Sequence, residues 1–141
     1  MKIAIGSDHG GYKLKEEIKK HLLSKRAKLK DFGAFSEESV DYPDIGKKVA
    51  KAVAAKKFRF GILVCGTGLG MSMVANKVSG IRAAVCHNIY TAKMSRAHND
   101  ANILALGGRV LTKKAALKIV DMFLRTPFEG GRHLRRIRKI R

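Results

Sequence analysis

The chain has 141 residues, 45% of them hydrophobic, and 30 lysines and arginines against 11 acids, for a net charge of +19. This length and composition give one globular domain with a real core and exclude a disordered chain. No apolar run approaches the roughly 20 residues of a membrane-spanning helix, and two cysteines, Cys65 and Cys86, are too few for a disulfide framework.

The N-terminus, MKIAIGSDHGG, is expected to lack a signal peptide, because its apolar stretch is short and breaks at Gly6. A cytoplasmic location follows as the expectation. Five short apolar runs then recur: KIAIGSD (2–8), AKLKDFG (27–33), FGILVCG (60–66), RAAVCHN (82–88) and NILALGG (102–108). Four lack the alternation of a strand with one wet face and read as strands buried on both sides; AKLKDFG alternates and suits an edge. Helical patterns lie between them. Leu14, Ile18 and Leu22 repeat every four residues, as do Ile45, Val49 and Val53, and Leu117, Val120 and Leu124 continue the theme. Helix starts fall at DYPD (41–44), where Pro43 suits a first turn, and at Thr112. A last helix from about Glu129 to the C-terminus places Leu134, Ile137 and Ile140 on one side.

Strands alternating with helices predict parallel strands joined by right-handed crossovers. The expected fold is a single α/β domain over 1–141, a three-layer sandwich with a five-stranded parallel sheet ordered 2-1-3-4-5 and an added C-terminal helix. Ligands of such sheets bind beyond the C-terminal strand ends, at the switch in strand order. Here that is the crevice between strands one and three, reached by SDHGG (7–11) and CGTGLG (65–70), with His87 and Asn88 at the tip of strand four.

The glycine-rich turn LVCGTGLGMSM (63–73) fits neither common nucleotide loop. A P-loop needs Gly-Lys-Ser/Thr, and Gly70 is followed by Met71 and Ser72; a dinucleotide fingerprint needs a third glycine where Met71 stands. What remains is a turn whose N–H groups, from Gly66 through Gly68 and Leu69 to Gly70, form an anion nest at a helix N-terminus. Such a nest holds either a phosphate or a developing oxyanion. A lone cysteine at a strand end is usually a small buried hydrophobe, which is the reading for Cys86. Cys65 stands at the mouth of the nest, where a helix N-terminus favours thiolate chemistry. Thr67 either donates to the thiolate or a substrate oxygen or caps the helix.

Three further features stand apart. His98, Asn99 and Asp100 in SRAHNDAN precede strand five, on the edge away from the crevice, so His98 reads as a surface histidine unless a second subunit brings that edge over the first subunit's site. Arg132 and Arg136, four apart, leave one helical face and suit a phosphate dianion, with a solvated basic helix as the plain alternative. The five histidines show no metal-ligand spacing, so no metal is expected. The charge attracts anions in general, nucleic acid included. Nine scattered tyrosines and phenylalanines and no tryptophan support single-strand stacking poorly, leaving nucleic acid as a non-specific side property.

SDHGG, DYPD, CGTGLGMSMVANK, GIRAAVC, SRAHNDAN and EGGRHLRRI together resemble the type B ribose-5-phosphate isomerases, the group that includes galactose- and allose-6-phosphate isomerases. The resemblance runs collinearly over nearly the whole chain. It implies a Rossmann-like fold, no cofactor, a phosphorylated sugar as substrate, and active sites shared in a homodimer or tetramer. It also implies an aldose–ketose exchange between ribose 5-phosphate and ribulose 5-phosphate through an enediolate, or the equivalent reaction on a hexose 6-phosphate. Carried over residue by residue, Cys65 is the base and Gly66 to Gly70 the hole for the enediolate oxygen, with Thr67 beside the thiolate. His98 assists ring opening and Asn99 binds near it; Asp8 and His9 bind sugar and phosphate, and Tyr42 lines the pocket. Arg109, Arg132 and Arg136 hold the phosphate. One branch of the family has a glutamate where Met71 stands, which puts this chain in the cysteine branch.

Overall fold

The computed structural model describes residues 1–140. Five parallel strands, β1 (Lys2–Ser7), β2 (Lys28–Asp31), β3 (Phe60–Cys65), β4 (Ala83–Val85) and β5 (Ile103–Gly107), form one sheet ordered β2-β1-β3-β5-β4. Six helices surround it: α1 (Tyr12–Ser24), α2 (Tyr42–Ala54), α3 (Leu69–Asn76), α4 (Ile89–Ala97), α5 (Lys113–Arg125) and α6 (Arg132–Ile137).

The three layers follow from strand alternation. Ile3 and Ile5, then Phe60, Ile62 and Val64, then Leu104 and Leu106 pack on one face beneath Leu14, Ile18 and Leu22 of α1 and Ile119, Val120 and Phe123 of α5. On the other face, Ala4, Leu63 and Cys65 meet Ile45, Val49 and Val53 of α2 and Met71 and Ala75 of α3. Burying a Leu, Ile, Val or Phe side chain is worth about 1.5–3 kcal/mol, and β1, β3 and β5 are covered on both sides by such groups. The α2 start is as expected, with Pro43 in its first turn. Thr112 caps α5, its hydroxyl accepting from the Ala115 N–H at 3.1 Å.

Three expectations are corrected. The strand order is 2-1-3-5-4 rather than 2-1-3-4-5, because β5 is the better partner for β3. All five of its residues are buried and pair with Gly61 through Cys65. Strand β4 is three residues, half-exposed rather than buried on both faces, and takes the edge. The crevice therefore has the β5 tip as a wall, and His87 and Asn88 lie away from it. Asn88 instead caps α4, accepting from the Thr91 N–H at 2.8 Å. The last helix begins at Arg132, not Glu129, after Gly130 and Gly131 adopt φ of 72° and 57°. It buries His133 and Ile137, while Leu134 and Ile140 are exposed. Arg141, which the expected helix included, lies outside the described residues.

Candidate active site

Loops from β1, β3 and β5 interlock at the C-terminal strand ends. The Asp8 N–H donates to the Val64 carbonyl at 3.2 Å, the Gly108 N–H to the Cys65 carbonyl at 2.8 Å and the Arg109 N–H to the Gly66 carbonyl at 3.0 Å. The loops approach so closely that a Cβ on Gly11 would stand 2.4 Å from the Val64 carbonyl oxygen. Only glycine fits there.

Cys65 is 6% exposed, and its Sγ accepts from the Gly68 N–H at 3.1 Å. Gly68 reaches that position with φ of 84° and opens α3. The nest is thus partly occupied by its own loop: Gly68 serves the sulfur, and the Leu69 N–H donates to Thr67 Oγ1 at 3.2 Å. Thr67 is exposed, and its oxygen accepts from the Leu69 N–H two residues on, in a turn ahead of α3 whose N-cap is Gly68 rather than Thr67. Met71 is fully buried, with its Sδ against Gly46 of α2, so it belongs to the core.

The other crevice residues close around this turn. The Asp8 carboxylate is buried and accepts from the Gly11 N–H at 3.0 Å, capping the short 3-10 turn His9–Gly11. The Val40 N–H approaches His9 Nδ1 at 3.2 Å, so Nδ1 accepts and Nε2 carries the ring proton. The Tyr42 ring lies against Gly70, where a Cβ would come within 2.6 Å of Cε1. The Arg109 guanidinium lies over two glycines: a Cβ on Gly10 would be 3.3 Å from Nη2 and one on Gly66 3.2 Å from Nη1. Asp8, His9, Tyr42, Cys65, Gly66, Gly68, Leu69, Gly70 and Arg109 are therefore brought together by one chain.

His98, Asn99, Arg132 and Arg136 are not. Cys65 is level with Gly107 and Gly61 with Ile103, so the start of β5 lies four residues away, roughly 13 Å at about 3.3 Å per residue. His98 precedes even that start. It ends α4 and stacks on His133 of α6, ring centroids 4.1 Å apart and planes 12° from parallel. The Glu129 carboxylate approaches both imidazoles, at 3.8 Å from His98 Nε2 and 3.5 Å from His133 Nε2. These three ligand atoms lie within 4.8 Å of one another, but near-parallel stacked rings share no in-plane point for a metal. Burial first, then the nearby His98 and Arg132, hold the His133 imidazole below its ordinary pKa.

Arg96 shapes this second cluster. It is 2% exposed, and its Nη1 donates to Asp100 Oδ1 and to the Ala101 carbonyl, each at 2.7 Å. Arg82 grips Asp100 from the other side at 3.3 Å. Asp100 takes φ of 45°, a turn that His98 and Asn99 enter from α4. His133, Glu129 and Arg96 were missed in the sequence; the four-residue spacings Glu129–His133 and Arg96–Asp100 were the available signals.

Comparison with known proteins places this arrangement. The profile of the family described as Ribose/Galactose Isomerase matches residues 3–140. The chain belongs to that family. It is similar to the ribose-5-phosphate isomerase B of Escherichia coli K12, 49% identical over 139 residues, 99% of this chain and 93% of that one. The solved structure of Clostridium thermocellum ribose-5-phosphate isomerase B has 60% identity and a TM-score of 0.98, over 99% of this chain and 95% of the other. That of Mycoplasma genitalium ribose-5-phosphate isomerase B with bound ribulose-5-phosphate has 45% identity and a TM-score of 0.95, over 99% and 93%. As a member of the ribose/galactose isomerase family, the chain has the five-stranded parallel architecture of its solved relatives. Among the described residues no helix is long and apolar enough to cross a membrane.

Proposed function

We propose that this isomerase interconverts ribose 5-phosphate and ribulose 5-phosphate, with Cys65 as the base moving a proton between C1 and C2. The observation that carries the reading is the Cys65 sulfur, 6% exposed and held at the glycine turn by the Gly68 N–H, on a loop flanked by Arg109 at Gly66 and Gly10 and by Tyr42 at Gly70. The choice of the pentose over a hexose rests on the names carried by the E. coli, C. thermocellum and M. genitalium relatives.

An enediolate route needs one base and donors for the oxyanion. With Gly68 and Leu69 engaged within the loop, the oxyanion role falls to the other N–H groups between Gly66 and Gly70. Thr67 stands beside them, and Asp8 binds sugar hydroxyls. His9, with its proton on Nε2, and Arg109 hold phosphate, whose binding energy orients the reacting carbons. His98 assists ring opening, with Asn99 beside it, and Arg132 and Arg136 complete the phosphate clamp. These four belong to the site of a second subunit in a homodimer, because no single chain brings them to its own Cys65.

Incubation with ribose 5-phosphate in deuterated water tests the reading. Ketose with deuterium at the exchanged carbon is expected, and Cys65→Ala is expected to lose turnover while binding substrate. No ketose and no exchange from the wild type would sink the reaction; full activity in Cys65→Ala would sink the base.

A further inference from the structure

The charge excess is not evenly spread. Among the described residues, Lys13, Lys15, Lys19, Lys20, Lys25 and Lys113 each meet a carboxylate. Lys30, Lys48, Lys51 and Lys57 are not among them, and these four line one cavity of about 430 Å³ together with Phe32 and Phe58. The cavity lies between the edge strand β2 and the C-terminal half of α2. It contains no acid.

Its construction is regular. Lys30 and Phe32 are two apart and share one face of the edge-strand segment, with the Lys30 ammonium 5.0 Å from the Phe32 ring centroid. Lys48, Lys51 and Ala55 recur at helical spacing on α2 and face the same space. Phe32 and Phe58 come from β2's exit and the α2–β3 turn and meet edge to face, centroids 5.8 Å apart. Beyond Phe58, Lys2, Lys56 and Arg59 line a second cavity of about 480 Å³, which also holds the Arg82–Asp100 ion pair. Two aromatic rings that the sequence scatters 26 positions apart, both half-buried against the core beneath α2, are thus bordered by four lysines that meet no carboxylate.

We propose that this groove binds single-stranded nucleic acid, with phosphates on the lysines and one unstacked base against Phe32 and Phe58. Four acid-free lysines suit a polyanion's backbone, whose binding releases counterions. The aromatic floor suits a base with a free π-face, which a duplex keeps stacked inside its helix. The groove is built on the C-terminal half of α2, whereas the crevice uses Tyr42 at its first turn. Binding here leaves the isomerase site open.

The test is fluorescence anisotropy of the full chain with a labelled oligothymidylate of about ten nucleotides, within the site sizes of single-strand binders. Four phosphate contacts predict a slope of about −2.8 in log K against log salt, or an affinity loss of about 50-fold from 50 to 200 mM salt. Lys48→Ala with Lys51→Ala should flatten the slope by about 1.4. Phe58→Leu, which keeps apolar packing, should weaken binding at least about fivefold. Neither should change sugar-phosphate turnover, and Arg135→Ala with Arg138→Ala in the tail should have the smaller effect. Absence of binding at 50 mM salt overturns the proposal, as does an unchanged slope in the double lysine variant or affinity lost only with the tail. Affinity indifferent to Phe58, or equal for a duplex of the same length, overturns the single-strand assignment.

Discussion

Replacing Lys15 by methionine tests how the crevice is anchored. The Lys15 side chain is fully buried in α1, and its ammonium donates to both Asp31 oxygens at 2.9 Å and to the Ala34 carbonyl. Ser7 and the Gly33–Ala34 segment are in turn tied by two backbone hydrogen bonds, just before Asp8. Methionine would fill the volume but leave the Ala34 carbonyl without its buried donor, a loss of about 1–3 kcal/mol. Asp31 would keep Lys19 at 2.8 Å and the Gly33 N–H at 2.8 Å, so it would not be wholly uncompensated. The total should stay at or below the roughly 3–5 kcal/mol of a broken buried pair, at about 2–4 kcal/mol.

Urea unfolding at pH 7 and one fixed subunit concentration measures this cost. The double variant Lys15→Met with Asp31→Asn should cost less than the sum of its singles by about 1 kcal/mol or more, because the two groups share one network. A Lys15→Met protein within about 0.5 kcal/mol of wild type, or strictly additive singles, would refute the reasoning.

If the site is shared as proposed, Cys65→Ala and His98→Ala, each inactive alone, should recover about a quarter of wild-type activity when co-refolded, since half the dimers would be mixed and each would have one intact site; no recovery would remove the shared site. Gly68→Ala should cost about 1–2 kcal/mol, because φ of 84° is left-handed, and should lower kcat by moving the N–H that meets the Cys65 sulfur; wild-type kcat and stability together would count against that hydrogen bond. Burial alone would raise the Asp121 carboxyl pKa, but hydrogen bonds from His21 at 2.8 Å and Lys25 hold it below its ordinary 3.8. Its stabilisation is therefore present above that value and lost as pH falls through the lower folded one, less than about 1 kcal/mol for so exposed a pair. Asp121→Asn should flatten the acid limb of stability between about pH 5 and pH 2, and identical limbs would remove the pair from the account.

The parallel fold was legible because Ile3, Ile62, Leu104 and their neighbours fill strand positions without alternation, which only a sheet covered on both faces tolerates. The order of strands β4 and β5 was not. Both runs read as short and apolar, and the difference lies in pairing length, a tertiary property. The glycine turn and Cys65 were legible because glycine spacing reports backbone geometry. The internal use of the Gly68 and Leu69 N–H groups was not, since no residue type encodes where an amide points. His133 escaped because a basic helix hides which of its faces is buried; of the expected apolar side only Ile137 is buried, while Leu134 and Ile140 are exposed.

Strand β5 carries Arg109 just past one end and follows the His98–Asp100 turn at the other. Under the shared site proposed above, its five residues would act as a ruler between the half-site a subunit keeps and the half-site it offers. Exchanging one aliphatic side chain for another leaves that ruler's length intact. Inserting or deleting a single residue would change it by about 3.3 Å and turn every following side chain to the opposite face. The stretch 103–107 should accordingly tolerate substitution far better than any change in length.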